Sequence, residues 1–432
     1  MVETVERLNI QDRERKLDVA GLVTSLLLSG GNHRFGTQSA VLQQYQGLGY
    51  LRVSRGAFYK WFSEGLATMM EEIGARACRW VDTRPKHLPD ILAGRSDWRA
   101  FDATTIKLDK ALVADFPGSG DYAAVKVHME LSLGAENVVA YELSAAREQD
   151  APHMTIDERR RGQGVLADLA YASHEFIDRC DQFDVAYVLR VKRGWEFWFD
   201  GTTSDEARAA WLDDDELSER FTGDDVYKLA TTTDIDVTVG GADSTRKARL
   251  VSFTSPKGRQ VAFLTNLPRD THDAAQVGLL YRLRWTIEIA NKLCKSAMSM
   301  DEIYSKTSRS VRTLVHASMT SAILAQAIAH EAHLERGWSG TRRAAIKVPP
   351  VHPLAVAERV ARGSGDLGLA LVASLQGHES PLWGRYVHIL CEGDPNWRRR
   401  PSAMDVVKGR THKLLRTREY GKDPKRALEQ LK

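Results

Sequence analysis

The sequence predicts a mixed α/β protein in which a strand-rich middle lies between helical ends. Three observations support this prediction. Residues 1–92 are polar-rich with helical spacing, strand-like alternation begins near Trp98, and helical runs return after His272. A chain of 432 residues is long enough for two to four domains with a sizeable core.

The N-terminal region contains helical runs and a pattern similar to a helix-turn-helix. Residues 17–28 and 38–45 form two such runs, and Ser54 is a good N-cap for a helix over residues 54–77. A helix, a Gly-containing turn and a Ser-capped helix are typical of DNA-binding modules. A plain helical bundle is an equally good interpretation, because the following residues have core spacing: Phe58, Trp61, Phe62 and Leu66.

The middle of the chain alternates between strands and turns. Residues 98–108, 125–133 and 137–143 are predicted strands, and the last two flank a hairpin-like turn at 134–136. Asp168 follows in a run of small residues, and a helix and a further strand complete the segment up to residue 192.

Residues 196–268 read as a β-rich excursion. The segment SPKGR is a clear turn between two apolar strands, and the acidic run 213–216 is interpreted as a solvated loop or the start of a helix. Beyond it, residues 308–333 form a long helix that is apolar on more than one side, followed by helical residues 351–376.

Charge and cysteine content restrict the class of protein. The net charge is only +3, but residues 396–432 carry 12 Lys and Arg against 4 Asp and Glu, a local net of 12 − 4 = +8 that suits a phosphate backbone or a solubilising tail. Four scattered cysteines fit neither a zinc site nor a disulfide framework and indicate a reducing cytosol. We expect no signal peptide and no transmembrane helix.

One helical stripe near residue 290 carries four polar side chains. Tyr281, Arg284, Glu288 and Lys295 fall at about 0°, 300°, 340° and 320° around an ideal helix, so they share one face. A carboxylate beside a phenol and two cations suits a metal-bound phosphodiester. A solvated face with i,i+4 ion pairs explains the spacing equally well.

Two upstream aspartates favour the phosphodiester interpretation. Asp102 lies in the first predicted strand, Asp168 lies just before a helix, and Glu288 lies mid-helix among cations. Carboxylates from separate elements that converge can bind two divalent cations about 3.5–4 Å apart and promote in-line attack at phosphorus. Mg²⁺ suits such a site because it prefers oxygen ligands.

The chain resembles the bacterial insertion-sequence DDE transposases that carry a Tyr-x2-Arg-x3-Glu-x6-Lys (YREK) signature. The run YRLRWTIEIANKLCK matches that signature with every spacing intact. The segments FDATTIKL and ADLAYASHEF resemble the blocks that carry the first and second Asp. The second block departs from many relatives, because Leu169 and Ala170 stand where they have Arg-Gly; nearby alternatives for the second Asp are Asp178, Asp181 and Asp184.

The resemblance implies a ribonuclease-H-like catalytic core in two segments, 93–195 and 269–310, interrupted by the β-rich insertion 196–268. It also implies an N-terminal helical DNA-binding region, 1–92, and a C-terminal helical region with a basic tail, 311–432.

The resemblance further assigns roles to the site residues. Asp102, Asp168 and Glu288 would be catalytic metal ligands for two Mg²⁺ ions, with Mn²⁺ as a substitute. Tyr281, Arg284 and Lys295 would hold a phosphate beside the cut. Trp285, at about 40° on the same wheel, could stack on a distorted base or pack in the core.

The function that follows is a DNA transposase of the bacterial cytoplasm, associated with the nucleoid. It would bind terminal inverted repeats as a homodimer on double-stranded DNA, cleave the ends, and join 3′-hydroxyls to target DNA. The alternatives are an inactive or domesticated DNA-binding regulator and a metal-dependent endonuclease without strand transfer.

Overall fold

The computed structural model describes residues 18–29, 36–50, 52–86, 88–200, 220–229, 232–240, 244, 246–255, 258–297 and 300–335. The predictions for the acidic run, for helical residues 351–376 and for the basic tail lie outside the described residues.

The described elements follow the predicted order of helices, strands and helices. The helices are α1 (Val19–Ser29), α2 (Gln38–Gly47), α3 (Arg55–Tyr59), α4 (Glu64–Asp82), α5 (His174–Gln182), α6 (Gly223–Lys228), α7 (Ala274–Leu283), α8 (Trp285–Lys292) and α9 (Ser308–Glu335). The strands are β1 (Trp98–Lys107), β2 (Ala124–Ser132), β3 (Asn137–Ala145), β4 (Gly164–Ala167), β5 (Ala186–Arg190), β6 (Glu196–Phe199), β7 (Arg220–Thr222), β8 (Thr233–Val239), β9 (Lys247–Thr254) and β10 (Gln260–Thr265).

These strands form one mixed ten-stranded sheet in the order β3-β2-β1-β4-β5-β10-β9-β8-β6-β7. β1, β2 and β3 form an antiparallel meander, as the alternating segments predicted. β4 then pairs in parallel with β1, and β5 in parallel with β4. The carboxyl ends of β1 and β4 therefore lie on the same edge of the sheet, the usual place for a site in an α/β protein.

Apolar side chains cover both faces of this sheet. One core joins the N-terminal helices, α7, α8 and α9 to the face that carries Trp98, Ala100 and Ile106 of β1. The opposite core packs α5 against the face that carries Phe101. Successive residues of a strand point to opposite faces, so Asp102 lies on the α7–α8 side of β1.

The N-terminal helices correct one prediction. The single helix expected over residues 54–77 is two helices, α3 and α4, because a second N-cap interrupts it. Ser54 caps α3 by accepting a hydrogen bond from the Ala57 amide, and Ser63 caps α4 by accepting one from the Leu66 amide. The core spacing of the aromatic residues is confirmed, since Phe58 and Phe62 are buried.

The β-rich segment extends the central sheet. β10 pairs antiparallel with β5, and β9 and β8 continue outward from it. The predicted turn between two apolar strands is confirmed: β9 and β10 are antiparallel, and the Ser255 amide donates to the Arg259 carbonyl oxygen across the turn. Gly258 has φ +71°, a left-handed conformation that favours glycine.

The long helix α9 is buried along most of its described length, as its composition predicted. It packs against α4 and against β3. Among the described residues, no helix is both long and apolar enough to cross a membrane.

Candidate active site

Two aspartates from neighbouring parallel strands lie level with each other. β1 and β4 pair in a register that sets Ala100 beside Leu166. Asp102 and Asp168 each come two residues after this last pair, and Asp168 directly follows the last residue of β4. The Leu169 amide donates a 2.7 Å hydrogen bond to Asp168 Oδ1 and fixes that carboxylate at the strand end.

The helical stripe is interrupted, which corrects the prediction of one continuous helix. α7 ends and α8 begins at Arg284, whose backbone is still right-handed (φ −52°, ψ −30°), and a π-helical turn follows over Leu293–Ala297. A π turn adds residues per turn, so it rotates Lys295 away from its ideal angle. Arg284 and Glu288 keep their i,i+4 relation, with 3.3 Å between Arg284 Nη2 and Glu288 Oε1.

Arg284 is the electrostatic centre of the site. Its guanidinium interacts with the carboxylates of Asp102, Asp168 and Glu288 and with Tyr281. Burial lowers the pKa of Arg284, but these neighbours outweigh burial and the net pKa is raised. The side chain is 11% exposed, and within the described chain its Nε and Nη1 are buried without hydrogen-bond partners.

The carboxyl group of Asp102 is costly to ionise in the folded protein. Burial, followed by the negative charge of Glu288, raises its pKa to about 6; Arg284 opposes the shift and Asp168 adds to it. The negative charges of Glu288 and Asp168 thus add to the cost of ionising Asp102, and a divalent cation bound there would relieve that cost.

Tyr281 joins the second carboxylate to the stripe. Its hydroxyl donates to Asp168 Oδ1 at 3.3 Å, and its ring packs against Phe263 of β10 with centroids 4.7 Å apart. Burial, followed by the charge of Asp168, raises the pKa of Tyr281 to about 12. The phenol therefore stays protonated at neutral pH and can donate a hydrogen bond.

Asn291 belongs to the site and was missed by the sequence analysis. Its Nδ2 donates a 2.6 Å hydrogen bond to Asp102 Oδ2, which ties α8 to β1. The residue lies at about 280° on the ideal wheel, next to Arg284 at about 300°. Its place on the stripe was the available signal, but an amide does not stand out among charged side chains.

Trp285 and Lys295 stand apart from these contacts. Trp285 is 62% exposed, so the core-packing alternative is wrong, and its binding of DNA stays a prediction. Lys295 is partly buried, and no hydrogen bond or ion pair joins it to the carboxylates in the described ranges. Its phosphate-binding role stays a prediction.

The alternatives to Asp168 have partners elsewhere. Asp178 pairs with Arg246, and Asp184 pairs with Arg95. Asp181 accepts a hydrogen bond from Asn266. None of the three appears among the charges that act on Asp102, whereas Asp168 does. The geometry thus favours Asp168 as the second carboxylate.

The carboxylates of the site are oxygen donors of the kind that divalent cations bind. Within the described residues, no group of three or more His, Cys, Asp or Glu stands close enough to hold a metal ion unaided. Mg²⁺ commonly uses one or two carboxylates and fills its shell with waters and substrate phosphates. Asp102 and Asp168, level on adjacent strands, with Glu288 beside Asp102, meet that smaller requirement.

Comparison with known proteins places the chain in a family. A family model described as "Transposase DDE domain" matches residues 94–324, which is more than half of the chain. The match covers the sheet, both aspartates and the α7–α8 stripe. The chain therefore belongs to the DDE transposase domain family.

Individual relatives agree with this assignment. The chain is 25% identical over 235 residues to the transposase for insertion sequence element IS231C of Bacillus thuringiensis subsp. berliner, covering 46% of this chain and 49% of that protein. It is 36% identical over 89 residues to the putative transposase InsL for IS186A of Escherichia coli (strain K12), covering 18% and 24%. The chain thus spans about half the length of the IS231C transposase.

A solved structure is also similar in outline. It is a cryo-EM structure of the piggyBac transposase synaptic complex with hairpin DNA, with a TM-score of 0.41 and 11% identity. The alignment covers 97% of this chain and 85% of that chain.

Proposed function

We propose that the protein is a metal-dependent DNA transposase that binds the terminal inverted repeats of its element, cleaves the ends and joins 3′-hydroxyls to target DNA. The observation that carries the proposal is the convergence of Asp102, Asp168 and Glu288 around one buried arginine. Membership of the DDE transposase domain family supports it.

The carboxylates of the site would bind metal, and its arginine would bind phosphate. Asp102, Asp168 and Glu288 would hold two Mg²⁺ ions, which Mn²⁺ can replace, and a bound cation supplies an activated water and stabilises the leaving oxygen. Arg284 has two buried N–H groups without partners among the described residues, and these would be its donors to a phosphate oxygen.

Tyr281 and Lys295 then add single phosphate contacts, and Trp285 offers an exposed ring on which a base can stack. Hydrolysis forms a bond from a water oxygen to phosphorus and breaks the bond to the 3′ oxygen. In joining, the freed 3′-hydroxyl forms a bond to a phosphorus of the target DNA, and the bond from that phosphorus to its own 3′ oxygen breaks, leaving a 3′-hydroxyl on the target. Both steps are in-line attacks at phosphorus, so one site can serve both.

The finer architecture belongs to the same proposal. The strand order β3-β2-β1-β4-β5, with β1, β4 and β5 parallel, supports a ribonuclease-H-like core, and β6–β10 are its insertion before the YREK signature. The N-terminal helices and the basic tail would contact DNA. Two ends must be brought together, so we expect a homodimer on DNA, acting at the bacterial nucleoid.

The test compares Glu288→Gln with a matched control, Glu175→Gln. Glu175 also forms an i,i+4 pair with an arginine, at 3.9 Å from Arg179, but it is 79% exposed on α5. A labelled duplex carrying the element's end is incubated with Mg²⁺. We expect the wild type and Glu175→Gln to nick and join the duplex, and Glu288→Gln to bind the end without cutting it.

The remaining outcomes separate the alternatives. End binding without cutting in every variant would favour a DNA-binding regulator or an inactive copy. Cutting without joining would favour an endonuclease. Full cleavage by Glu288→Gln would contradict the role given to that carboxylate.

A further inference from the structure

Asn291 is a buried amide of which one polar end is paired with a site carboxylate and the other is not. The residue is only 7% exposed, and its Nδ2 donates to Asp102 Oδ2 at 2.6 Å. Its Oδ1 is buried and has no hydrogen-bond partner in the described chain. Leaving a buried acceptor unpaired destabilises the folded protein, so native proteins usually supply a partner.

The direction of the amide follows from Asp102. A carboxylate oxygen only accepts hydrogen bonds, so the amide nitrogen must face Asp102 and the amide oxygen must face away from that contact. The nitrogen and oxygen of one amide lie about 2.3 Å apart. Oδ1 is therefore no more than about 5 Å from Asp102 Oδ2, within reach of the water shell of a cation held there.

A second buried asparagine shows what a purely structural role looks like. Asn137 is 1% exposed; its Nδ2 donates to the Ile323 carbonyl oxygen at 2.9 Å, and its Oδ1 accepts from the Val138 amide at 2.8 Å. Both of its polar ends are paired by the protein. The oxygen of Asn291 has no such partner among the described residues, although the nitrogen of the same amide is bonded to Asp102.

We infer that Asn291 is a positioning residue of the metal site. Its Nδ2 fixes the carboxylate of Asp102, and its Oδ1 receives a hydrogen bond from a water of the bound divalent cation. The inference rests on the proposed function, because that function supplies the cation. Groups that orient metal ligands contribute about 10–100-fold to metal affinity.

The experiment measures Mn²⁺ binding to the full chain, first alone and then with a duplex that carries the element's end, by the electron paramagnetic resonance signal of free Mn²⁺, with the duplex alone as the baseline. Wild type is compared with Asn291→Leu, which keeps the side-chain volume but removes both polar ends, and with Asn137→Leu as the control for loss of a buried amide. We expect Asn291→Leu to bind Mn²⁺ about 10–100-fold more weakly. Asn137→Leu should keep wild-type affinity although it lowers the melting temperature.

A second variant keeps the test informative if Asn291→Leu does not fold. Asn291→Asp retains an oxygen but replaces the donor with a further negative charge. Without metal it should melt at a lower temperature than wild type. With Mn²⁺ it should bind within about tenfold of wild type and gain more thermal stability than wild type does.

The outcomes distinguish this inference from the proposed function. Wild-type Mn²⁺ affinity in Asn291→Leu, with binding lost in Glu288→Gln, would overturn the role of Asn291 and leave the metal site standing. Equal losses in Asn291→Leu and Asn291→Asp would overturn the role of Oδ1. Absence of Mn²⁺ binding in the wild type, both alone and with the end duplex, would overturn both proposals.

Discussion

Replacing Asp102 by Asn should stabilise the metal-free protein while removing its activity. The folded protein holds this carboxylate at a raised pKa, about 6 against an ordinary 3.8, mainly because of burial and then because of Glu288. Ionising Asp102 therefore opposes folding at neutral pH. An asparagine of the same shape carries no charge and can still accept the hydrogen bond from Asn291 Nδ2.

The size of the gain follows from the pKa shift. A shift of about 2 units corresponds to about 3 kcal/mol, at about 1.36 kcal/mol per unit. Asp102 is only partly buried, so solvent screening reduces this figure, and we expect a gain of about 1–2 kcal/mol. At about 2–4 °C per kcal/mol for a domain of this size, the melting temperature should rise by about 2–8 °C.

The stability gained by Asp102→Asn should increase as the pH rises. A raised carboxyl pKa means that the folded state binds the proton more tightly, so the cost of ionisation is absent below about pH 3.8 and grows as pH rises through about 6. The advantage of Asp102→Asn should be full near pH 8 and should shrink towards pH 5. Melting temperatures of both proteins in EDTA across this range measure it.

Adding Mg²⁺ should reverse the order of the two melting temperatures, so that the wild type melts above Asp102→Asn. Mg²⁺ added back should raise the melting temperature of the wild type and leave Asp102→Asn nearly unchanged, because a ligand that binds only the folded state stabilises it. A variant that melts below the wild type at pH 8, or a difference that does not change with pH, would refute the reasoning about Asp102.

Three further predictions concern residues around the site and in the frame that holds it. Trp285→Ala should change the free energy of unfolding by less than about 0.5 kcal/mol, because the ring is exposed, and should weaken binding of the cleaved end by about 1–3 kcal/mol, read by fluorescence anisotropy. Ser63→Ala should lower stability by about 1 kcal/mol in a urea titration without changing Mn²⁺ affinity, because it removes only the α4 N-cap. Asp97→Ala should cost about 3–5 kcal/mol or prevent soluble expression, because Asp97 is buried beside Arg99 and Lys86, which lose a partner; a wild-type melting curve would contradict that account.

The sequence by itself predicted the order of the elements and named the carboxylates and the arginine that interact in the candidate site. Alternation with period two predicted β1, β2 and β3, and local cap chemistry predicted the start of α3 at Ser54. These signals depend on near neighbours in the chain, so they can be read without the fold. The shared helix face of Tyr281, Arg284 and Glu288 could be predicted for the same reason, because helical spacing depends only on near neighbours in the chain.

Only the tertiary structure decided which of these residues meet. The parallel pairing of β1 with β4 sets Asp102 level with Asp168, and the sequence contains no local signal for a pairing across more than 60 residues. The interruption of the stripe at Arg284 and the exposure of Trp285 depend on how α7 and α8 pack, which helical periodicity does not specify. The place of Asn291 in the site was also decided by the tertiary structure. It depends on one hydrogen bond to Asp102 of β1, and packing between distant segments determines such contacts.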